Sequence, residues 1–191
     1  MRIIAIQASP DERGLTASMA AAALAGAQAA GAETELVHLC RLKVEACRTC
    51  GRQGWGRCWD EASCVIEDDM ASLVEKMVAC DGLVLATPVY FGDVSEPFKR
   101  LFDRVRRCEF GKSSLHRLQG KWVLGIAAAG GSGRGCPTCL VSMERYYQHI
   151  GMQVFDQLSV SQRSRAYMLV AARSAGEALL RHVGAQDADV Q

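Results

Sequence analysis

Excess charge of one sign is missing from this chain: 22 Lys and Arg face 21 Asp and Glu, a formal charge of +1. No overall field therefore recruits nucleic acid or an anionic membrane. Long apolar runs are missing too. The longest, around Met19–Ala27, is Ala-rich and broken by Gly26, well short of the roughly 20 apolar residues that a bilayer crossing needs. Asp11-Glu12-Arg13 follows the apolar start directly and no small-residue cleavage site closes it, which argues against a secretory signal and sets the expectation of a cytoplasmic protein. Gly-x-x-x-x-Gly-Lys-Ser/Thr does not occur, so a nucleoside triphosphatase is disfavoured. His38, His116, His149 and His182 are dispersed without metal spacing. There is no internal repeat, and the one biased segment is an Ala-rich helix.

What remains is an ordinary globular composition, 49% apolar and 23% charged over 191 residues, enough for one domain and too little for a second. The reading is a single domain over 1–184, with a cysteine-rich insertion at 40–66 and a flexible tail at 185–191. The exception to the ordinary composition is 9 cysteines, an odd count, too sparse for a disulfide scaffold. Cys47, Cys50, Cys58 and Cys64 crowd together, Cys136 and Cys139 form a Cys-x-x-Cys, and Cys40, Cys80 and Cys108 stand alone as small buried hydrophobes.

Strands and helices alternate along the chain. Ile3, Ile4 and Ile6 in Arg2–Ala8 suit a strand covered on both faces. A polar loop then leads into a helical segment, Thr16–Ala30, stopped by Gly31. Glu33–Leu39 reads as a second strand, and the cysteine segment after it has no sustained period. Met70, Leu73, Val74 and Met77 recur at helical spacing behind Asp68-Asp69. Gly82–Ala86 and Lys121–Ala128 are buried-type strands, each followed by a helix, around Phe98–Val105 and Pro137–Ile150. Gln153–Val160 is the fifth strand, with a last helix within Arg165–Val183 and a polar, frayed tail from Gly184. The fold class is α/β, a flavodoxin-like doubly wound five-stranded parallel sheet in the order 2-1-3-4-5.

In such a sheet ligands bind beyond the carboxyl ends of the strands. Three loops lie there. Ser9 to Ser18 offers hydroxyls and backbone N–H groups at a helix start, suited to a phosphate, although Ser and Thr at that position also serve as plain caps. Thr87-Pro88-Val89-Tyr90-Phe91-Gly92 puts an aromatic pair where a flat ring could lie, and Gly130-Gly131-Ser132-Gly133 permits close approach to the ring's other edge.

Ser9-Pro10 with Gly14 and Thr16, the block Thr87–Gly92 with Pro97, Lys99 and Asp103, and the Gly130-Gly131 loop together resemble the NADPH-dependent FMN reductase family, over about Met1 to Gly151. The cysteine segment with Cys64-Val65-Ile66-Glu67-Asp68-Asp69-Met70 is similar to its iron–sulfur flavoprotein branch. The resemblance implies that Ser9, Thr16 and Ser18 hold an FMN phosphate, that Thr87, Pro88, Val89, Tyr90, Phe91 and Gly92 contact the isoalloxazine, and that Gly130 and Gly131 border its pyrimidine side. Asp11 stands where family members often carry Arg after Ser-Pro, leaving Arg13 as the nearby cation. The branch spaces its ligands Cys-x2-Cys-x2-Cys before a fourth, whereas this chain has Cys-x2-Cys-x7-Cys-x5-Cys.

Four thiolates in one loop suit the corners of a [4Fe–4S] cluster first and structural zinc second, with free thiols packed against a partner as the third reading. Trp55 and Trp59 read as residues of a subunit contact rather than as shields of a cluster. Lys99, Arg100, Arg104, Arg106 and Arg107 read as a solvated helix face before a nucleotide-phosphate site. The expected function is FMN-dependent transfer of electrons from NAD(P)H to flavin or another small acceptor or a redox carrier protein, with an iron–sulfur cluster as a route for single electrons, in a homodimer or tetramer implied by the same resemblance. A ferredoxin-linked electron carrier and a non-enzymatic flavin- or zinc-bearing oligomeric module are the alternatives. No catalytic side chain is named, because hydride transfer to a flavin depends on stacking and water exclusion.

Overall fold

In the computed structural model, which describes residues 1–113 and 115–189, the apolar run at the start of the chain becomes β1 (Arg2–Gln7) at the centre of a sheet. From Ile3 to Gln7 its residues are buried whichever way they point. Ile4 and Ile6 enter one core and Ile3 and Ala5 the other, the period-two alternation of a strand covered on both sides. The same division holds for β3 (Gly82–Pro88) and β4 (Trp122–Ala129), while β2 (Glu33–His38) and β5 (Gln153–Ser161) form the edges. All pairings are parallel and the order is β2-β1-β3-β4-β5, as the alternation of elements requires.

The helices cover both faces. Helices α1 (Leu15–Ala29) and α6 (Arg165–Asp189) pack over Ile3, Ala5, Val84, Leu124 and Ile126. They approach closely because small residues meet: a Cβ on Gly26 would fall 1.8 Å from the carbonyl oxygen of Arg173, and one on Gly176 would fall 1.9 Å from that of Ala23. On the other face lie α3 (Met70–Ala79), α4 (Glu96–Phe110) and α5 (Cys136–His149), whose Met77, Phe98, Phe102 and Met143 are fully buried against Leu83, Leu85 and Val123. No helix among the described residues is long and apolar enough to cross a membrane.

Most element ends shift by a residue or a few from the sequence reading, and three features depart from it more tellingly. Strand β3 runs on to Pro88, because Thr87 and Pro88 still pair with Ala127 and Ala128. The cysteine segment is not wholly irregular: it contains 3-10 turns at Leu39–Arg41 and Arg52–Gly54 and a single turn of helix, α2 (Arg57–Asp60). Helix α6 continues past Gly184 to Asp189, so the expected tail from 185 is helical as far as 189, and its last two residues lie outside those described. The apolar seam against the sheet, with Leu179, Leu180 and Val183 buried, carries the helix up to Gly184.

Candidate functional site

Three strand ends are tied into one rim by hydrogen bonds. Ala8 N–H donates to the Ala86 carbonyl and Val89 N–H to the Ala128 carbonyl, each at 2.9 Å, and Ser95 Oγ donates to the Ala8 carbonyl at 3.2 Å. The turns after β1, β3 and β4 therefore sit side by side.

The turn after β1 is braced from below. The buried side chain of Gln7 accepts from Ser9 N–H at 2.8 Å and donates to the Ser9 carbonyl at 3.1 Å, which fixes the chain entering the loop. Ser9 Oγ accepts from Asp11 N–H, and the Asp11 carboxylate accepts from Arg13 N–H at 3.0 Å, so the acid at this position is turned onto the loop's own amide. Helix α1 starts at Gly14 with no side-chain cap. Neither Thr16, which is buried, nor Ser18, whose hydroxyl donates to the Gly14 carbonyl at 2.9 Å, acts as the plain cap weighed from sequence. The uncapped first turn leaves a positive dipole end with orphan N–H groups, the arrangement that receives a phosphate. Arg13 is exposed beside it. A second cation comes from far along the chain: Arg165, at the start of α6, donates to Ser18 Oγ at 3.3 Å.

In the turn after β3, Tyr90 and Asp93 exchange backbone hydrogen bonds at 2.9 and 3.1 Å around Phe91 (φ 52°) and Gly92 (φ 80°). Positive φ at both central residues defines a tight type I′ turn, and a bulky aromatic in that region is strained. Phe91 is also entirely exposed and Tyr90 half-exposed. Strain and exposure on the same aromatic mark a site whose partner is something other than this chain's core. Pro88 and Val89 are half-buried beneath it. Thr87 is fully buried, and its Oγ1 accepts from Ser95 N–H at 3.0 Å, so its part is to shape the turn from inside. The turn leans on α5: a Cβ on Gly135 would fall 2.9 Å from Gly92 Cα, and Thr138 Oγ1 donates to the Gly92 carbonyl at 2.6 Å. Gly130 and Gly131, after β4, are exposed, with nothing within 4 Å of where a Cβ would stand. The rim is open there.

The cysteine segment folds over α4. Cys47, Cys50, Cys58 and Cys64 all line one narrow cavity, partly open to solvent, together with Arg104, Arg107 and Cys108. Cys108 was read from sequence as an isolated core residue. Only the packing of α4 under the loop brings it to this cavity, 44 positions beyond Cys64 in the chain. Burial and the neighbouring Cys64 and Cys58 push its thiol up to about 12. Cys47 also borders a shallower groove in which Tyr90 stands, so the thiol cavity adjoins the aromatic turn.

The basic run on α4 divides. Lys99 pairs with Asp103, Arg100 with Glu96 and Arg106 with Asp103 on the outer face. Arg107 instead stacks 4.1 Å from the Trp55 ring and donates to the Gly54 carbonyl, and Arg104 is buried against Asp68. Those two are therefore not part of a solvated face, and Trp55 is held within the chain, 5.0 Å from Trp59. Cys136 and Cys139 are fully buried, Cys136 donating to the carbonyls of Ala127 and Val160, and burial raises the Cys139 thiol to about 12. They are core residues.

Comparisons with known proteins agree with this layout. The chain is 34% identical over 131 residues to an iron–sulfur flavoprotein of Methanocaldococcus jannaschii, covering 69% of this chain and 65% of that one. It is 39% identical over 104 residues to an iron–sulfur flavoprotein of Methanosarcina thermophila, covering 54% and 52%. The chain thus spans between about half and two thirds of the length of these relatives. Its fold is shared with an NAD(P)H:quinone oxidoreductase from Methanothermobacter marburgensis, with a TM-score of 0.70 at 19% identity over 94% of this chain and 96% of that one. The profile of the NADPH-dependent FMN reductase family matches residues 1–165. A match that takes in the central sheet and all three strand-end turns places the chain: it belongs to the NADPH-dependent FMN reductase family.

Proposed function

We propose that this protein is an FMN-dependent oxidoreductase that takes electrons from NAD(P)H or a reduced carrier and delivers them to a small acceptor or a redox carrier protein. The observation that carries this reading is the rim itself: an uncapped helix end, a strained and fully exposed Phe91, and an open Gly130-Gly131 turn, joined by hydrogen bonds between the strands that bear them. The N–H groups opening α1 would hold the phosphate with Ser9, Thr16 and Ser18, and Arg13 and Arg165 would supply positive charge. Tyr90, Phe91 and Gly92, backed by Pro88 and Val89, would cover the ring, and Gly130 and Gly131 would let it approach the backbone. Bound there, FMN supplies two-electron acceptance and one-electron release, which the side chains position rather than perform.

The thiol cavity would take an iron–sulfur cluster before zinc: four cysteines line it, the count that either group needs, and the relatives are named iron–sulfur flavoproteins. Among the described residues no three Cys, His, Asp or Glu side chains are placed to hold one metal ion, so Cys47, Cys50, Cys58 and Cys64 would draw in around the group as it binds. The groove shared by Cys47 and Tyr90 supports electron exchange between the two sites. An anaerobic absorption spectrum with iron, zinc and sulfide assays tests both parts. Flavin with iron and sulfide supports the whole; flavin without metal leaves a simple flavin reductase, and zinc without flavin overturns the redox reading.

A further inference from the structure

Arg104 is the one arginine of α4 that is almost fully buried, at 1% exposure. Its donors can be counted. Nη1 bonds Asp68 Oδ2 at 2.5 Å and the Glu45 carbonyl at 3.1 Å, and Nη2 bonds Asp68 Oδ1 at 3.1 Å and the Ile66 carbonyl at 3.2 Å. A guanidinium has five N–H groups, so four are used. The fifth, on Nε, is buried and makes no well-formed hydrogen bond, with the Cys64 thiol as the side chain within reach of the guanidinium besides Asp68. Arg104 lines the thiol cavity and sits beside Cys64.

Its partners define the neck of the cysteine loop. Glu45 lies two residues before Cys47 and Ile66 two residues after Cys64, and Asp68 Oδ2 also accepts from Glu45 N–H at 2.8 Å. One turn further out, Asp69 closes the same neck by accepting from Lys43 N–H at 2.7 Å and donating its own N–H to the Lys43 carbonyl at 3.0 Å. Arg104 thus bonds both sides of the neck while its remaining donor is buried beside the Cys64 thiol, at the wall of the cavity.

We propose that Arg104 is a positioning residue of the thiol cavity, clamping the neck so that the first and last cysteines face one space and reserving its Nε–H for a sulfur of an anionic, thiolate-ligated metal centre. This rests on the metal reading above and adds a residue to it. Outer partners of this kind orient ligands and tune the metal, and their loss costs about 10- to 100-fold in metal affinity. A fixed positive charge at the cavity wall also favours the more reduced, more negative state of such a centre.

The test uses the full chain reconstituted anaerobically with iron and sulfide. Arg104→Gln with Asp68→Asn removes both charges together; Arg104→Lys keeps the charge without the planar fork. Flavin content reports folding in each. The double variant is expected to lose iron to a chelator about 10- to 100-fold more readily than the parent, with the reduction potential of its remaining cluster shifted negative. Arg104→Lys is expected to lose iron readily with a smaller shift in potential, and it carries the test alone if the double variant does not fold. Flavin-bearing variants that hold iron as the parent does, or that lose it with an unshifted potential, overturn the proposal. Parent protein that takes up flavin but no iron overturns the metal reading itself, and this inference with it.

Discussion

Ser95, at the entry to α4, donates its hydroxyl to the carbonyl of Ala8, 87 positions earlier, while Thr87 Oγ1 lies 3.1 Å from the same hydroxyl. This buried set joins the ends of β1 and β3 to α4, and it sets the spacing between the proposed phosphate loop and the aromatic turn. Ser95→Ala removes that partner, but the Cys40 thiol still reaches the Ala8 carbonyl and Thr87 Oγ1 keeps the residue-95 N–H and the Pro88 carbonyl, so the cost is that of a net hydrogen bond, about 0.5–1.5 kcal/mol. Urea unfolding of the flavin-free protein should register the loss, and flavin affinity should fall with it; an unchanged midpoint would show that the bond contributes nothing.

Phe91 separates stability from binding. Its backbone is in the left-handed region and its side chain touches no core. Phe91→Gly should hold or raise the stability of the flavin-free protein by about 1 kcal/mol, since glycine accepts that conformation without strain. The same change removes an aromatic contact worth about 0.5–1.5 kcal/mol, so flavin should bind roughly 2- to 10-fold more weakly in a fluorescence titration. Lost stability with unaltered affinity would make Phe91 a packing residue.

Asp68 gives the cysteine neck a pH dependence. Burial alone would raise its carboxyl, but the bonds from Arg104 and from the N–H groups of Glu45 and Met70 outweigh burial and hold it below the ordinary range. In the pH interval between its folded and unfolded values the unfolded chain binds more protons, so stability rises with pH there. The contribution is complete above the ordinary aspartate range and is lost as pH falls through the lowered value. Asp68→Asn should flatten this acid limb in urea midpoints measured between about pH 3 and pH 7, and should lower stability by about 3–5 kcal/mol at neutral pH because Arg104 is left buried without its counter-charge.

The nine thiols should sort by burial. Desolvation pushes Cys80 up to about 11 and Cys108 and Cys139 up to about 12, so all three stay protonated near pH 8. Cys40, read from sequence as a buried hydrophobe, is exposed instead, so alkylation of the native, metal-free protein followed by peptide mapping should mark Cys40 with the half-exposed Cys47, Cys50 and Cys64 and spare those three until denaturant is added. Rapid native labelling of Cys108 would show that its thiol is not buried at the cavity wall.

How far the residues announce the molecule depends on the range of each signal. Apolar runs such as Ile3–Ile6, the helical spacing of Met70, Leu73, Val74 and Met77, and the break at Gly31 are local, and the resulting alternation of strand and helix leaves the 2-1-3-4-5 sheet as the natural arrangement. Because ligands gather beyond the carboxyl ends of such a sheet, the turns at Ser9, Tyr90 and Gly130 were legible before any coordinate. The extension of α6 beyond Gly184 was not, since a polar segment carries no apolar period to announce a helix.

Periodicity and turn chemistry over a few residues were enough to set the elements, their order and the loops at the carboxyl ends of the strands. Only the packing shows that Thr87 turns inward, that Arg165 reaches Ser18 in the first turn of α1, that Arg104 leaves an apparently solvated helix face and that Cys108, read as a lone core residue, joins it at the thiol cavity. These meetings depend on how right-handed crossovers lay one helix against a distant loop, and no spacing along the chain encodes which face of α4 that loop will cover.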